Sequence, residues 1–246
     1  MDTEGWVFVD GFTQTGDGWA AVTRHLAHGA ARILLPPPTA ATFTDATATF
    51  TDAAAALGRS ATMLERERRI ERTDFVGYSQ GGRLCLQLAL DRPEVVHRLA
   101  LVSASPGIED PAERAARREA DERLAREIER DGVDAFLERW MAQPMFATLP
   151  RDRFGIDERR AHNTVERLTY QLRVLGQGVQ PSNWTRLPEL RMPVLLIVGE
   201  RDPKYVDIAR RMAAAIPQAR LEVVPGAGHA CHLERPETVA QLLSSW

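Results

Sequence analysis

Residues 74–84 read DFVGYSQGGRL, a short apolar run that ends at Ser79 with Gly77 and Gly81 two positions to either side. Glycines at those two places allow a turn too sharp for bulkier side chains. The residues after the serine have the composition of a helix. The reading is therefore strand, tight turn, helix, with a serine hydroxyl lifted above the end of a sheet, as in the nucleophile elbow G-x-S-x-G. A plain strand-to-helix turn can carry the same five residues, so the rest of the chain has to decide.

Outward from this stretch, short apolar runs alternate with longer helical patterns. Trp6 to Val9, Ala31 to Leu35, Phe75 to Tyr78, Arg98 to Ala104, Met192 to Glu200 and Ala219 to Gly226 read as buried strands. Helical patterns fall at 17–28, 48–58, 81–91, 204–216 and 236–245. Alternation of this kind implies a parallel sheet covered on both faces, because parallel strands need crossover connections. The expected fold class is α/β, mostly parallel, twisted and helix-flanked.

The alternation stops between residues 107 and 185. Asp110 as N-cap, Pro111 at the first helical position and Glu113 make a strong helix start. That helix is expected to end near Asp131-Gly132, and VDAFLERWMAQPMF to begin another. The organisation expected is a sheet core over 1–106 and 186–246, with a helical cap over 107–185 above the carboxyl ends of the strands, where open α/β sheets bind ligands. The stretch from 36 to 56, poor in large apolar residues, reads as a loop entering a helix.

The chain has 246 residues, a net charge of -3, and 44% hydrophobic and 26% charged residues. These values suit one globular unit and leave no basic footprint for nucleic acid. Lys204 is the single lysine. Cys85 and Cys231 cannot make a disulfide framework, and no C-x-x-C knuckle suggests a metal. No basic-then-apolar leader and no membrane-length apolar run are visible. The expectation is a cytoplasmic protein, monomeric or a small homo-oligomer, with no cofactor, no metal, no nucleic acid and no membrane.

A serine that handles protons needs an imidazole, and the imidazole needs a carboxylate to hold its tautomer. Asp202 in GERDPKY and His229 in PGAGHACHLERP both follow expected strand ends, downstream of Ser79, in the order serine, acid, histidine. Singly, Asp202 reads as a helix cap and His229 as a structural histidine; together with Ser79 they read as a triad. His232 is expected to support the histidine loop, while His25, His28 and His97 read as surface positions. The backbone N–H groups of Gln80 and Phe12 are candidates for an oxyanion hole.

These motifs resemble the α/β-hydrolase superfamily, and within it the family of 2-succinyl-6-hydroxy-2,4-cyclohexadiene-1-carboxylate synthases of menaquinone biosynthesis. The likeness runs through GYSQGGRL, SASPGI with ERAARREAD, FLERWMAQPMF, RRAHN, GQGVQPSNW, GERDPKY and GAGHACHLERP. It implies a lyase that eliminates pyruvate from a succinyl-cyclohexene tricarboxylate, with the triad abstracting a ring proton. It further implies substrate-binding roles for Arg83, Arg117 and Arg160, and pocket roles for Tyr78 and Trp140. Read without the likeness, Arg117 has Glu113 and Asp121 four residues away on either side and suits a surface ion pair. Trp140 would then be cap core and GQGVQPSNW a plain loop anchored by Trp184.

Two departures stand out. Asp10-Gly11 replaces the His-Gly usual after the first strand, and a carboxylate there opposes a developing enolate unless it is paired, protonated or turned away. LLPPPTAAT, within 34–42, replaces the usual D-x-P-G-x-G loop, and the chain opens near what is the third strand of the usual fold. These leave two other readings open: a hydrolase of a small ester, thioester or carbon–carbon bond through an acyl-serine, and an impaired binding homologue.

Overall fold

The computed structural model of the chain describes residues 4–14, 16–26, 31–35, 49–68, 70 and 72–246. All six apolar runs are strands: β1 (Glu4–Val9), β2 (Ala31–Leu35), β3 (Arg72–Tyr78), β4 (Arg98–Val102), β5 (Val194–Gly199) and β6 (Ala219–Val224). They form one sheet in the order β2-β1-β3-β4-β5-β6, with every neighbouring pair parallel. The helices are α1 (Ala20–Thr23), α2 (Phe50–Arg68), α3 (Gln80–Asp91), α4 (Pro111–Met141), α5 (Ile156–His162), α6 (Val165–Leu175), α7 (Pro203–Ala215), α8 (Cys231–Glu234) and α9 (Pro236–Ser244).

Side chains alternate across the sheet with the period of two that a pleated strand imposes. Val7, Val9, Phe75, Leu99, Leu101, Val194 and Leu196 face one apolar layer, shared with α2, α3 and α7. Trp6, Phe8, Val76, Tyr78, Ala100, Val102, Leu195 and Ile197 face the other, shared with Trp19, Val22, Val239 and Leu243. Truncating a fully buried member such as Leu99 to alanine would cost about 2–5 kcal/mol.

From β1 the chain steps outward to β2, returns to β3 and then runs the opposite way to β6. The reversal falls between β1 and β3, and crevices at such switch points, outside the carboxyl ends of the strands, are where α/β sheets hold ligands. Val9 pairs with Gly77, so the loops beginning at Asp10 and Tyr78 leave the sheet side by side at the same level.

Residues 103–193 contain no strand. Asp110 caps α4 by accepting the Glu113 N–H at 2.8 Å, and Gly132, at φ 81° and ψ 174°, breaks the helix where the sequence suggested. Asp121, Ala125 and Ile128 recur on one buried face of α4. The last two, with Phe136, Leu137, Leu168 and Leu172, make a small apolar cluster joining α4 to α6.

Two helical expectations need correction. Among its described residues, the pattern over 17–28 yields a 3₁₀ turn, Asp17–Trp19, and the four-residue α1. The helix expected over 48–58 runs on to Arg68 as α2. Gly58, where the expected stretch ended, marks a close crossing: a Cβ there would lie 2.7 Å from Leu88 Cδ1 on α3. His28 and the altered loop at 36–45 lie outside the described residues.

Candidate active site

The glycines around Ser79 are set by close packing. A Cβ on Gly77 would lie 2.5 Å from the Gly82 Cα, and one on Gly81 would lie 2.4 Å from the carbonyl oxygens of both Val9 and Asp10. The first turn of α3 therefore presses onto β3 and the end of β1, which only glycine permits. Ser79 is forced to φ 48° and ψ -107°, a conformation rarely adopted by residues with a side chain. The neighbouring strand holds it there through a 2.9 Å bond from the Ser79 N–H to the Val102 carbonyl.

The chain brings Ser79, Asp202 and His229 together. His229 Nε2 lies 3.3 Å from Ser79 Oγ, and Nδ1 lies 2.7 Å from Asp202 Oδ2. With the carboxylate accepting from Nδ1–H, Nε2 presents its lone pair to the serine hydroxyl, the arrangement needed to take a proton from it. The imidazole is 1% exposed. Tyr205 packs on it with ring centroids 4.6 Å apart, and Tyr78 at 5.4 Å. Besides its contact with His229, Asp202 is a helix cap: Oδ1 accepts the Tyr205 N–H at 3.4 Å at the start of α7. The His229 loop is anchored by the buried Glu234, whose carboxylate accepts the Gly228 N–H at 3.0 Å.

Gln80 opens α3, so its N–H has no acceptor within the helix. Phe12 sits in the parallel loop after β1, its ring edge-on to Trp140 at 5.0 Å. Asp10 is fully buried and turned to its own loop, accepting the Gly16 N–H, with Arg159 and Arg167 close enough to attract it. The carboxylate is thus turned to its own loop, within the attraction of two arginines.

The loop is held from two further sides. Gln14 Oε1 accepts the Gly11 N–H at 3.0 Å, and its amide nitrogen lies 3.2 Å from His232 Nε2. His232 is buried against Tyr78 with centroids 4.1 Å apart. Burial, then the neighbouring His229 and Arg159, push its pKa well below the ordinary value, so it stays a neutral support. From α5, Arg159 donates to Thr13 Oγ1, and Asn163 donates to the Thr13 carbonyl at 2.8 Å.

A cavity of about 690 Å³ opens over Ser79, His229 and Asp202. Arg83, Arg117, Lys204, Tyr205, Phe12 and Trp140 are among its walls. Arg83 is 5% exposed and donates to Gln180 Oε1 at 3.2 Å. Among the described residues no carboxylate pairs with it, and burial pushes its pKa down to about 10. Arg117 makes the expected helix ion pair, with Asp121 at 2.7 Å, donates to Gln177 Oε1 at 2.7 Å, and lies on the cavity wall. Glu113 plays no part in that pair.

Two expected pocket residues are placed elsewhere. Arg160 points to solvent among Asp134, Glu138 and Asp157, at 3.3, 3.5 and 3.6 Å. Its neighbour Arg159, about 100° further round a helix, is the one directed inward. Tyr78 is not a wall of the cavity; it lies beneath the two histidines in the sheet's apolar layer, because β3 alternation turns residue 78 to that face. Of the remaining histidines, His97 is half-buried against Asp74 at 2.9 Å, and His25 approaches Glu237 at 3.9 Å.

Several site residues escaped the sequence reading. GQGVQPSNW is more than a plain loop: Gln177 orients Arg117, Gln180 orients Arg83, and the Trp184 indole N–H donates to the Gly107 carbonyl at 3.0 Å. Tyr205 could have been found from its place three residues after Asp202, one turn into the same helix. No cluster able to hold a metal occurs among the described residues, and no described helix is long and apolar enough to cross a membrane.

Comparison with known proteins agrees with this fold. A Bacillus subtilis (strain 168) protein, provisionally named a 2-succinyl-6-hydroxy-2,4-cyclohexadiene-1-carboxylate synthase, is 37% identical over 182 residues, spanning 72% of this chain and slightly under two thirds, 66%, of its own length. The synthase of the same name from Salmonella agona (strain SL483) is 29% identical over 239 residues, 97% of this chain and 91% of that one. The solved structure of MenH from S. aureus superposes with a TM-score of 0.88 at 26% identity, covering 100% of this chain and 94% of the other. The sequence pattern of the alpha/beta hydrolase family matches residues 6–242, and the chain is a member of that family.

Proposed function

We propose that the protein is a lyase of menaquinone biosynthesis that eliminates pyruvate from a succinyl-cyclohexene tricarboxylate, giving 2-succinyl-6-hydroxy-2,4-cyclohexadiene-1-carboxylate. Helices α4 to α6 act as a cap over the sheet core. The names of the Bacillus and Salmonella relatives support the reading. The observation that carries it is Arg83, a buried cation without a carboxylate partner among the described residues, in the same cavity as Ser79 and His229. A charge left in that state favours an anionic ligand, and a guanidinium fits a carboxylate through two parallel bonds. Lys204 and Arg117, the latter paired with Asp121, stand on the same walls; an uncharged ester has no use for the unpaired charge of Arg83.

In the proposed chemistry the Ser79 hydroxyl, deprotonated toward His229 Nε2, removes the ring proton next to the succinyl carbonyl. The electron pair moves onto that carbonyl as an enolate, held by the N–H groups of Phe12 and Gln80. Its return shifts the ring double bond and breaks the carbon–oxygen bond to the enolpyruvyl group, which gains a proton and leaves as pyruvate. Asp202 keeps the imidazolium oriented while it carries the proton. The test is pyruvate release from the tricarboxylate, run beside hydrolysis of a short-chain nitrophenyl ester. Release at catalytic rates with little ester turnover is expected. Ester turnover without pyruvate would replace the lyase with the hydrolase reading.

A further inference from the structure

The cavity wall contains a chain of hydrogen bonds whose direction is fixed from one end. Arg117 Nε donates to Asp121 Oδ1, and Arg117 Nη1 donates to Gln177 Oε1, each at 2.7 Å. An arginine only donates, so the Gln177 amide has one acceptable orientation, with its nitrogen toward Tyr205. Gln177 Nε2 lies 3.1 Å from Tyr205 Oη, and an amide nitrogen also only donates. Tyr205 Oη is therefore an acceptor in this contact, and its own hydrogen must go elsewhere. Among the described residues no second partner takes it.

Tyr205 is 8% exposed and shares the cavity with Ser79, Arg83 and His229. Its placement is tied to the triad, because its N–H caps on Asp202 and its ring packs on His229. Burial pushes the phenol pKa up, opposed by Arg83 among others, so the hydroxyl keeps its hydrogen at neutral pH.

We infer that Tyr205 is a substrate-binding residue whose hydroxyl donates to the ligand carboxylate held by Arg83, completing a carboxylate subsite beside the triad. Its role is recognition rather than proton transfer, since the network leaves Tyr205 Oη no base to receive its proton. The subsite selects an acid over the corresponding ester, because an ester offers Arg83 no charge and Tyr205 a weaker acceptor. The inference rests on the proposed substrate class, and its test separates the two.

The test compares wild type with Tyr205→Phe, which removes only the hydroxyl and keeps the ring on His229. The probes are 4-oxo-4-phenylbutanoate, a succinyl-bearing acid, and its methyl ester, measured by calorimetric titration. Tyr205→Phe is expected to weaken the acid about tenfold or more and to leave the ester within about twofold. On the elimination, KM is expected to rise by a similar factor, with kcat and its pH profile nearly unchanged. Gln177→Leu is expected to weaken the acid less, and the double variant no more than Tyr205→Phe alone. Equal weakening of acid and ester would make Tyr205 a packing residue and overturn the inference, as would no change in either, or an acid that fails to bind wild type at millimolar concentration. Pyruvate release with an inert Tyr205→Phe would sink the subsite and spare the lyase. Tyr205-dependent acid binding without pyruvate release would do the reverse.

Discussion

Replacing Arg83 by methionine tests whether a buried charge is there for the ligand or for the fold. Lowering the guanidinium pKa from 12.5 to about 10 corresponds to about 3 kcal/mol of unfavourable burial for the charged form. That burden is present at all pH values below about 10 and is relieved as pH rises toward the unfolded value, where the arginine loses its proton. Methionine removes it. Against this, Gln180 Oε1 loses its donor, which costs about 1–3 kcal/mol, and the contact of the guanidinium over the Phe50 ring at 5.7 Å is exchanged for thioether packing. The terms nearly cancel, so urea denaturation at pH 7 should place Arg83→Met within about 1 kcal/mol of wild type. Breaking a buried ion pair, by contrast, costs about 3–5 kcal/mol. Carboxylate ligands should bind about 10–100-fold more weakly, the equivalent of one or two charge-assisted hydrogen bonds. A variant destabilised by more than about 3 kcal/mol with carboxylate affinity intact would show that Arg83 is a strut, and the substrate class would lose its main support.

Gly81→Ala should strike stability and turnover together. Its Cβ would sit 2.4 Å from two backbone carbonyls at the end of β1, so the loop carrying Phe12 must move. A loss of about 1–3 kcal/mol in denaturation and roughly a hundredfold in kcat is expected; wild-type kcat would mean that this loop plays no part in the chemistry. Arg160→Ala should leave activity alone and change stability by less than about 0.5 kcal/mol, since its ion pairs are exposed. Arg159→Met should lower kcat about tenfold or more by freeing Thr13, with KM much less affected. The opposite ranking of the two arginines would refute the inward placement of Arg159.

The fold was readable because the central strands β1, β3, β4 and β5 are buried on both faces and leave apolar runs between turn residues; β6, at the edge of the sheet, was read as buried but is partly exposed. The meeting of Ser79, Asp202 and His229 was readable because each follows a strand end, and strand order carries all three to the carboxyl end of the sheet. What escaped depends on contacts the chain makes at long range. The continuation of α2 past Gly58 depends on contacts such as that with Leu88 of the crossing helix. Arg159 and Arg160 are adjacent on a helix of seven residues, too short for periodicity to say which faces inward. Gln177 and Gln180 carry no chemistry of their own; they matter because each meets an arginine 60 and 97 residues away. Asp10 looked hostile to an oxyanion because the Gly16 amide it accepts from and the arginines of α5 and α6 that attract it cannot be inferred from its neighbours in sequence.

The central claim is that the Ser79 hydroxyl, through His229 and Asp202, removes the proton that triggers pyruvate loss. The measurement that meets it most directly is single-turnover pyruvate release from the succinyl-cyclohexene tricarboxylate by wild type and Ser79→Ala, with ligand binding checked in both. A fall of about three or more orders of magnitude in rate with binding retained is the predicted result. Turnover by Ser79→Ala at the wild-type rate would contradict it.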